Sequence, residues 1–147
     1  MDLSNDIAGI VPTKASRLLR EHIHAVLSQY ELTPMEWSML GVLAEARNGV
    51  QHAYVAEQLH VKAPFVTALA QPLLTRDLIR SVPSQFDARG KLLALTPAGK
   101  KLRKTVQTAL NRRLKQLLAG VSDHDIASYH KVLVTIIGND GPIRNQR

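Results

Sequence analysis

Nineteen lysines and arginines against twelve acids give this 147-residue chain a formal net charge of +7. The charge is unevenly spread. Residues 80–115 hold ten Lys/Arg and a single acid, Asp87, a local surplus of nine. Residues 1–79 hold six bases against eight acids, and residues 116–147 balance at three against three. The whole excess therefore sits in one stretch, which is the electrostatic footprint expected of a protein that binds a polyanion. A solvated helix face would give the same count, so the elements that carry the charge must decide between the two.

Other chemistries find little support. With no cysteine, disulfides, thiolate metal sites and thiol redox sensing are excluded, and the chain is compatible with a reducing cytoplasm, the expected location. His22 and His24 are two apart and point to different faces of a helix, as do His124 and His130 at a spacing of six. No His-x-x-x-His pair exists, and no metal or other cofactor is expected. Gly99-Lys100 lacks both the upstream glycine and the following Ser/Thr of a phosphate-binding loop, and neither Gly-x-Ser-x-Gly nor His-Glu-x-x-His occurs. An enzyme is not expected. Hydrophobic content is 45%, with no apolar run near 18 residues, so no membrane span is predicted. Asp2 and Asp6 stand where a secretory signal would carry bases.

Around the charged stretch, apolar periodicity divides the chain into helices and one hairpin within a single domain of 147 residues. Ala15, Leu18, Leu19, Ile23, Val26, Leu27 and Tyr30 form one stripe over residues 13–30. Thr33-Pro34-Met35-Glu36 reads as a capping box with proline in the first turn, and its helix carries Trp37, Leu40, Leu43 and Ala44 to a stop near Asn48-Gly49. Trp37 is expected in the core. A short helix follows over 52–60, and another over 64–76 with Val66, Leu69, Ala70, Leu73 and Leu74 facing inward. Leu78–Val82 and Leu92–Leu95 are short branched runs separated by a stretch of turn formers, a β-hairpin with a long loop. Thr96-Pro97 opens a long helix through Leu118. Ser122 caps a last one carrying Ile126, Tyr129, Val132, Leu133, Ile136 and Ile137, with a frayed tail expected from Gly138.

Short helices followed by a two-stranded hairpin form a winged helix-turn-helix. The expected fold is thus mainly α with a small β-hairpin wing, the winged region covering 33–99. Helices over 13–30 and 100–137 have more apolar stripe than that module can cover, and they are predicted to pair with a second copy as a two-fold dimer.

At this level the chain resembles the MarR family of bacterial transcriptional regulators, over nearly its whole length. The resemblance is carried by Leu32-Thr33-Pro34, by Asp87-Ala88-Arg89 at the wing tip, and by Leu95-Thr96-Pro97-Ala98-Gly99 leading into the long helix. It implies a homodimer that binds double-stranded DNA at a pseudo-palindromic operator and regulates transcription, as a repressor. It also implies that Arg89 reaches into the minor groove while Asp87 holds the loop, with Lys91 beside them. A narrow A·T-rich minor groove attracts a guanidinium in this way. At 100° per residue, Pro64, Thr67, Ala68, Gln71 and Thr75 face outward from the predicted recognition helix, the face laid in a major groove. Gln71 has the groups to pair with adenine, and Phe65 and Ala68 can touch thymine methyls. Lys62, ahead of the helix, suits a phosphate. Lys100, Lys101, Arg103 and Lys104 suit either phosphates or solvent.

Two residues depart from the family's pattern. His60 stands where the helix-turn-helix turn usually holds glycine and must tolerate a turn conformation. Pro72 removes the hydrogen bond to the Ala68 carbonyl and is expected to kink the recognition helix. The resemblance also implies a small aromatic or phenolic effector. Arg17 and His22, a cation and an imidazole beside the first apolar stripe, are its candidate ligands, set against a reading of His22 as a satisfied interface histidine. A winged helix serving as a protein-interaction module is the alternative to DNA binding, and the basic stretch argues against it.

Overall fold

The computed structural model describes residues 1–87 and 90–140. They form seven helices and three short strands: α1 (Leu3–Ala8), α2 (Ile10–Ser28), α3 (Pro34–Ala44), β1 (Val50–Gln51), α4 (His52–Leu59), α5 (Ala63–Thr75), β2 (Ile79–Pro83), β3 (Lys91–Leu95), α6 (Pro97–Leu117) and α7 (Asp123–Asn139). Two compact units result, Met1–Arg113 and a second that begins at Leu114 within α6.

In the first unit, local chemistry sets each boundary. Asp2 caps α1 by accepting the Ser4 and Asn5 N–H groups, and Gly9 separates α1 from α2. The expected first helix therefore begins at Ile10 rather than Thr13, and six residues ahead of it are also helical. At α3 the capping box is present in full. Thr33 Oγ1 accepts the Glu36 N–H at 3.2 Å, and the Glu36 carboxylate accepts the Thr33 N–H at 2.8 Å. The chain after α3 turns at Gly49, whose φ of +93° suits glycine and whose missing side chain leaves room for Leu92.

The sheet has the order β1-β3-β2 and is antiparallel throughout. β1, two residues long, has no counterpart in the sequence expectation. In the hairpin Ile79 faces Leu95, Ser81 faces Leu93 and Pro83 faces Lys91. Pro83 sits at the end of an edge strand, where its missing N–H costs no ladder bond. Leu27, Met39, Leu40, Leu43, Val55, Val66, Leu73, Ile79, Leu93 and Val106 are the large side chains sealed in the core, drawn from α2 to α6. Trp37 is half-buried against that core.

Thr96 joins three elements. Its hydroxyl donates to the Asp77 carbonyl at 2.6 Å and accepts the Gly99 N–H at 3.0 Å, while its own N–H donates to the Leu78 carbonyl. Gly99 lies so close to that same carbonyl that a Cβ there would collide with it. The Leu-Thr-x-x-Gly sequence thus fixes the start of α6 to the junction between α5 and β2.

In the second unit α7 is capped by Ser122, whose Oγ accepts the Asp125 N–H at 3.1 Å. The helix runs to Asn139, so Gly138 is helical, where fraying was expected. None of its residues is buried, including the stripe Ile126, Tyr129, Val132, Leu133, Ile136 and Ile137. Residues 141–147 lie outside the described residues.

Candidate nucleic-acid interface

α4 and α5 form the helix-turn-helix, and the turn between them is set by a residue that fits it poorly. His60 adopts φ 53°, ψ 44°, the left-handed conformation a glycine would enter freely. The Val61 N–H then closes back on the Ala56 carbonyl at 3.0 Å. At the other end of α5, Asp77 is also left-handed, at φ 55°. Arg76 reaches from there to the Glu31 and Tyr30 carbonyls at 2.7 and 3.0 Å. Nothing in the sequence pattern singles out Arg76. It ties the end of α5 to the loop between α2 and α3, a contact 45 residues distant in the chain that no local pattern announces.

Between these anchors α5 buries one face and exposes the other. Val66, Ala70 and Leu73 are buried and Leu69 and Leu74 half-buried, whereas Pro64, Thr67, Ala68, Gln71 and Thr75 are exposed. Phe65 is 47% exposed. Lys62 occupies the position before the helix, exposed and without a side-chain cap bond. The helix continues through Pro72 to Thr75, so the proline does not end it. Ala68, whose carbonyl loses a partner to Pro72, is exposed, and water can take that place.

Backbone hydrogen bonds tie together the described residues at the two ends of the wing loop. Ser84 N–H donates to the Gly90 carbonyl at 2.9 Å, and Gly90 N–H to the Asp87 carbonyl at 3.0 Å. Ser84 Oγ accepts the N–H groups of Phe86 and Asp87 at 3.2 and 3.3 Å. Asp87 and Lys91 are exposed, and Arg89 lies outside the described residues, as does Ala88. Lys100, Lys101 and Lys104 are exposed on α6.

Arg103 behaves differently from those three. It is half-buried, its guanidinium stands 5.7 Å from the centre of the Trp37 ring, and its Nε is buried with no hydrogen-bond partner among the described residues. A cavity of about 180 Å³ opens beside it, with Leu43, Ala46 and Leu95 as apolar walls and Arg47, Lys100 and Arg103 as cations. The two residues expected to meet an effector are elsewhere and engaged. Arg17 is exposed and pairs with Glu21 at 3.6 Å on the same helix. His22 Nδ1 lies 2.8 Å from the Arg113 guanidinium, which can only donate, so that nitrogen is the acceptor. Among the described residues no group of three His, Asp or Glu could hold a metal ion, and no helix is long and apolar enough to cross a membrane.

No protein-family model matches this sequence, and no curated protein is significantly similar to it. Solved structures are. A MarR-family transcriptional regulator from Rhodococcus sp. RHA1 superposes with a TM-score of 0.80 at 21% identity, covering 92% of this chain and 95% of its own. CouR from Rhodococcus jostii RHA1, solved with p-coumaroyl-CoA, has the same TM-score and coverage at 20% identity. S. aureus MepR, solved with DNA, gives 0.70 at 21% identity, covering 86% of this chain and 93% of its own.

Proposed function

We propose that this chain, which has the winged helix-turn-helix fold of the MarR-family transcriptional regulators, is itself a DNA-binding transcriptional regulator acting as a homodimer. The observation that carries the proposal is the meeting of fold and charge. The surplus of nine positive charges over residues 80–115 falls on the wing and on α6, directly after a helix whose exposed face is Pro64, Thr67, Ala68 and Gln71. That face enters the major groove, with Gln71 reading adenine and Phe65 and Ala68 meeting thymine methyls. Lys62 and Lys91 contact phosphates, and Asp87 shapes the wing loop that carries Arg89 to the minor groove. MepR, with the same fold, has been solved on DNA. A two-fold dimer reads a pseudo-palindromic operator.

The test is binding of the purified protein to the DNA upstream of its own gene, against scrambled DNA of equal length, over a salt series. A dimer that neutralises roughly 6–10 phosphates loses about 10³–10⁵ in affinity between about 50 and 200 mM salt. Preferential binding with that slope is the expected result. No binding even at low salt would instead favour a winged helix that engages proteins.

The finer reading is repression relieved by a small aromatic or phenolic acid. The specific observation in its favour is the Arg103 Nε, a buried donor with no partner among the described residues, beside a cavity with apolar walls and three cations. A buried unsatisfied donor is costly, and a carboxylate would complete it. Arg17 and His22, already paired, are weaker ligands for such an acid.

A further inference from the structure

The sealed core is built from Leu, Ile, Val, Met and Ala, and neither of the chain's two phenylalanines enters it. Phe65 is half exposed at the first turn of α5, and Phe86 is 98% exposed in the wing loop. Both large rings therefore stand on the two elements assigned to DNA. The backbone that carries Phe86 is anchored, because its N–H and that of Asp87 bond to Ser84 Oγ and the Ser84 N–H bonds to the Gly90 carbonyl.

Next to this ring, on the face of the sheet away from Ile79, Leu93 and Leu95, lies a cavity of about 350 Å³. Phe86, Val82 and Leu92 line it together with Arg47 and Arg80. Arg80 stands opposite Ala94 and Val82 opposite Leu92 in the ladder, which places them on one face. Among the described residues neither arginine has a carboxylate within 4.0 Å.

We infer that Phe86 is a wedge that enters between base pairs from the minor groove, at a pyrimidine–purine step flanking the half-site, and that Arg47 and Arg80 hold phosphates of the flank bent by that insertion. The inference rests on the DNA-binding reading above and adds to it a deforming contact on the outer wing face. Apolar wedges unstack a step and kink the duplex, and the bent DNA then meets more protein surface. TA and CA/TG steps yield most readily, so specificity arises at base pairs that no side chain hydrogen-bonds. An exposed ring on an anchored stretch of backbone suits the wedge, and two guanidinium groups with no carboxylate partner among the described residues suit the flank.

The test uses the full-length protein and the duplex it selects from a random-sequence pool. The fluorescent base 2-aminopurine, which brightens when unstacked, replaces adenine at each flanking step in turn, and circular permutation reports the bend. Wild-type protein is expected to brighten one flanking step on each side and to bend the duplex. Phe86→Ala should abolish both and weaken binding by about tenfold, within the range that base–aromatic stacking contributes, while Phe86→Leu keeps part of each. Arg47→Ala with Arg80→Ala should keep the brightening, reduce the bend and lower the salt slope by about 1 for each phosphate no longer neutralised. Phe86 lies outside the core, so the variants are expected to fold, which circular dichroism checks. Tight binding of straight DNA by the wild type, or unchanged brightening with Phe86→Ala, overturns the wedge alone. Failure of the wild type to bind any duplex overturns the regulator reading together with the wedge.

Discussion

Gly99 shows how much physics a short motif can hold. In the sequence it is the last residue of Leu95-Thr96-Pro97-Ala98-Gly99, and only the family resemblance singles it out. In the structure the residue is buried against the Leu78 carbonyl, with its N–H on Thr96 Oγ1. Gly99→Ala must push α6 away from the start of β2, because the clash is with backbone and no side chain can swing aside. Overpacking of this kind costs about 1–3 kcal/mol, and urea unfolding should show a lower midpoint that corresponds, through the m-value, to a stability loss of about that size. An unchanged midpoint would mean that α6 is free to move. His60 is singled out by the same resemblance, which places a glycine in that turn, and its φ of 53° is the left-handed conformation that a glycine would serve. Arg76 and Arg103 are not legible, because their partners Tyr30, Glu31 and Trp37 are distant in sequence.

The helices and the hairpin are readable because periodicity and caps agree with the tertiary fold. Thr33 with Glu36 marks the start of α3 to the residue, although the helix ends at Ala44, short of the stop expected near Asn48-Gly49, and the inward and outward faces of α5 follow the 100° count from Val66 to Thr75. β1 escapes such reading because two residues carry no period. Only its pairing of Val50 with Leu93 and Gln51 with Leu92 makes it a strand. α1 escapes it because six residues with no buried side chain leave no stripe, and Asp2 alone marks its start. α5 breaks a local rule. Pro72 lacks the donor that an interior position normally supplies and sits on the exposed side, so nothing in the core requires it. Pro72→Ala should therefore raise stability by about 1–3 kcal/mol in chemical denaturation, toward the full cost of an interior proline. Its effect on DNA tests whether the proline serves readout. Tighter binding to the selected site makes it a burden, and weaker binding despite greater stability makes it part of the recognition surface.

At the scale of the whole molecule, what the sequence makes legible is an imbalance, more apolar helix than one winged module can bury. The single chain leaves Leu3, Ile7, Ile10 and Val11 exposed in its first two helices, and the entire stripe of α7 exposed in the second unit. A 17-residue helix that buries nothing has only its caps and local pairs to hold it, which is marginal in water. A second copy is the simplest cover, since a two-fold axis would present each uncovered stripe with a surface of its own kind. If folding and pairing are one process, stability must depend on protein concentration, because dilution favours unfolded monomers. A hundredfold dilution should then lower Tm by roughly a few degrees, and sedimentation should give twice the mass of one chain. Leu133→Glu places a charge on the α7 stripe, where the single chain has no packed interior for it to disturb. It should cut the dimer mass by half and lower Tm well beyond the dilution effect, since burying an unpaired carboxylate is prohibitive. It should also abolish operator binding while non-specific binding at low salt persists, because one module can still neutralise phosphates but cannot span two half-sites. A Tm indifferent to concentration, with a Leu133→Glu protein as stable as the wild type, would show that α7 stands without a second copy.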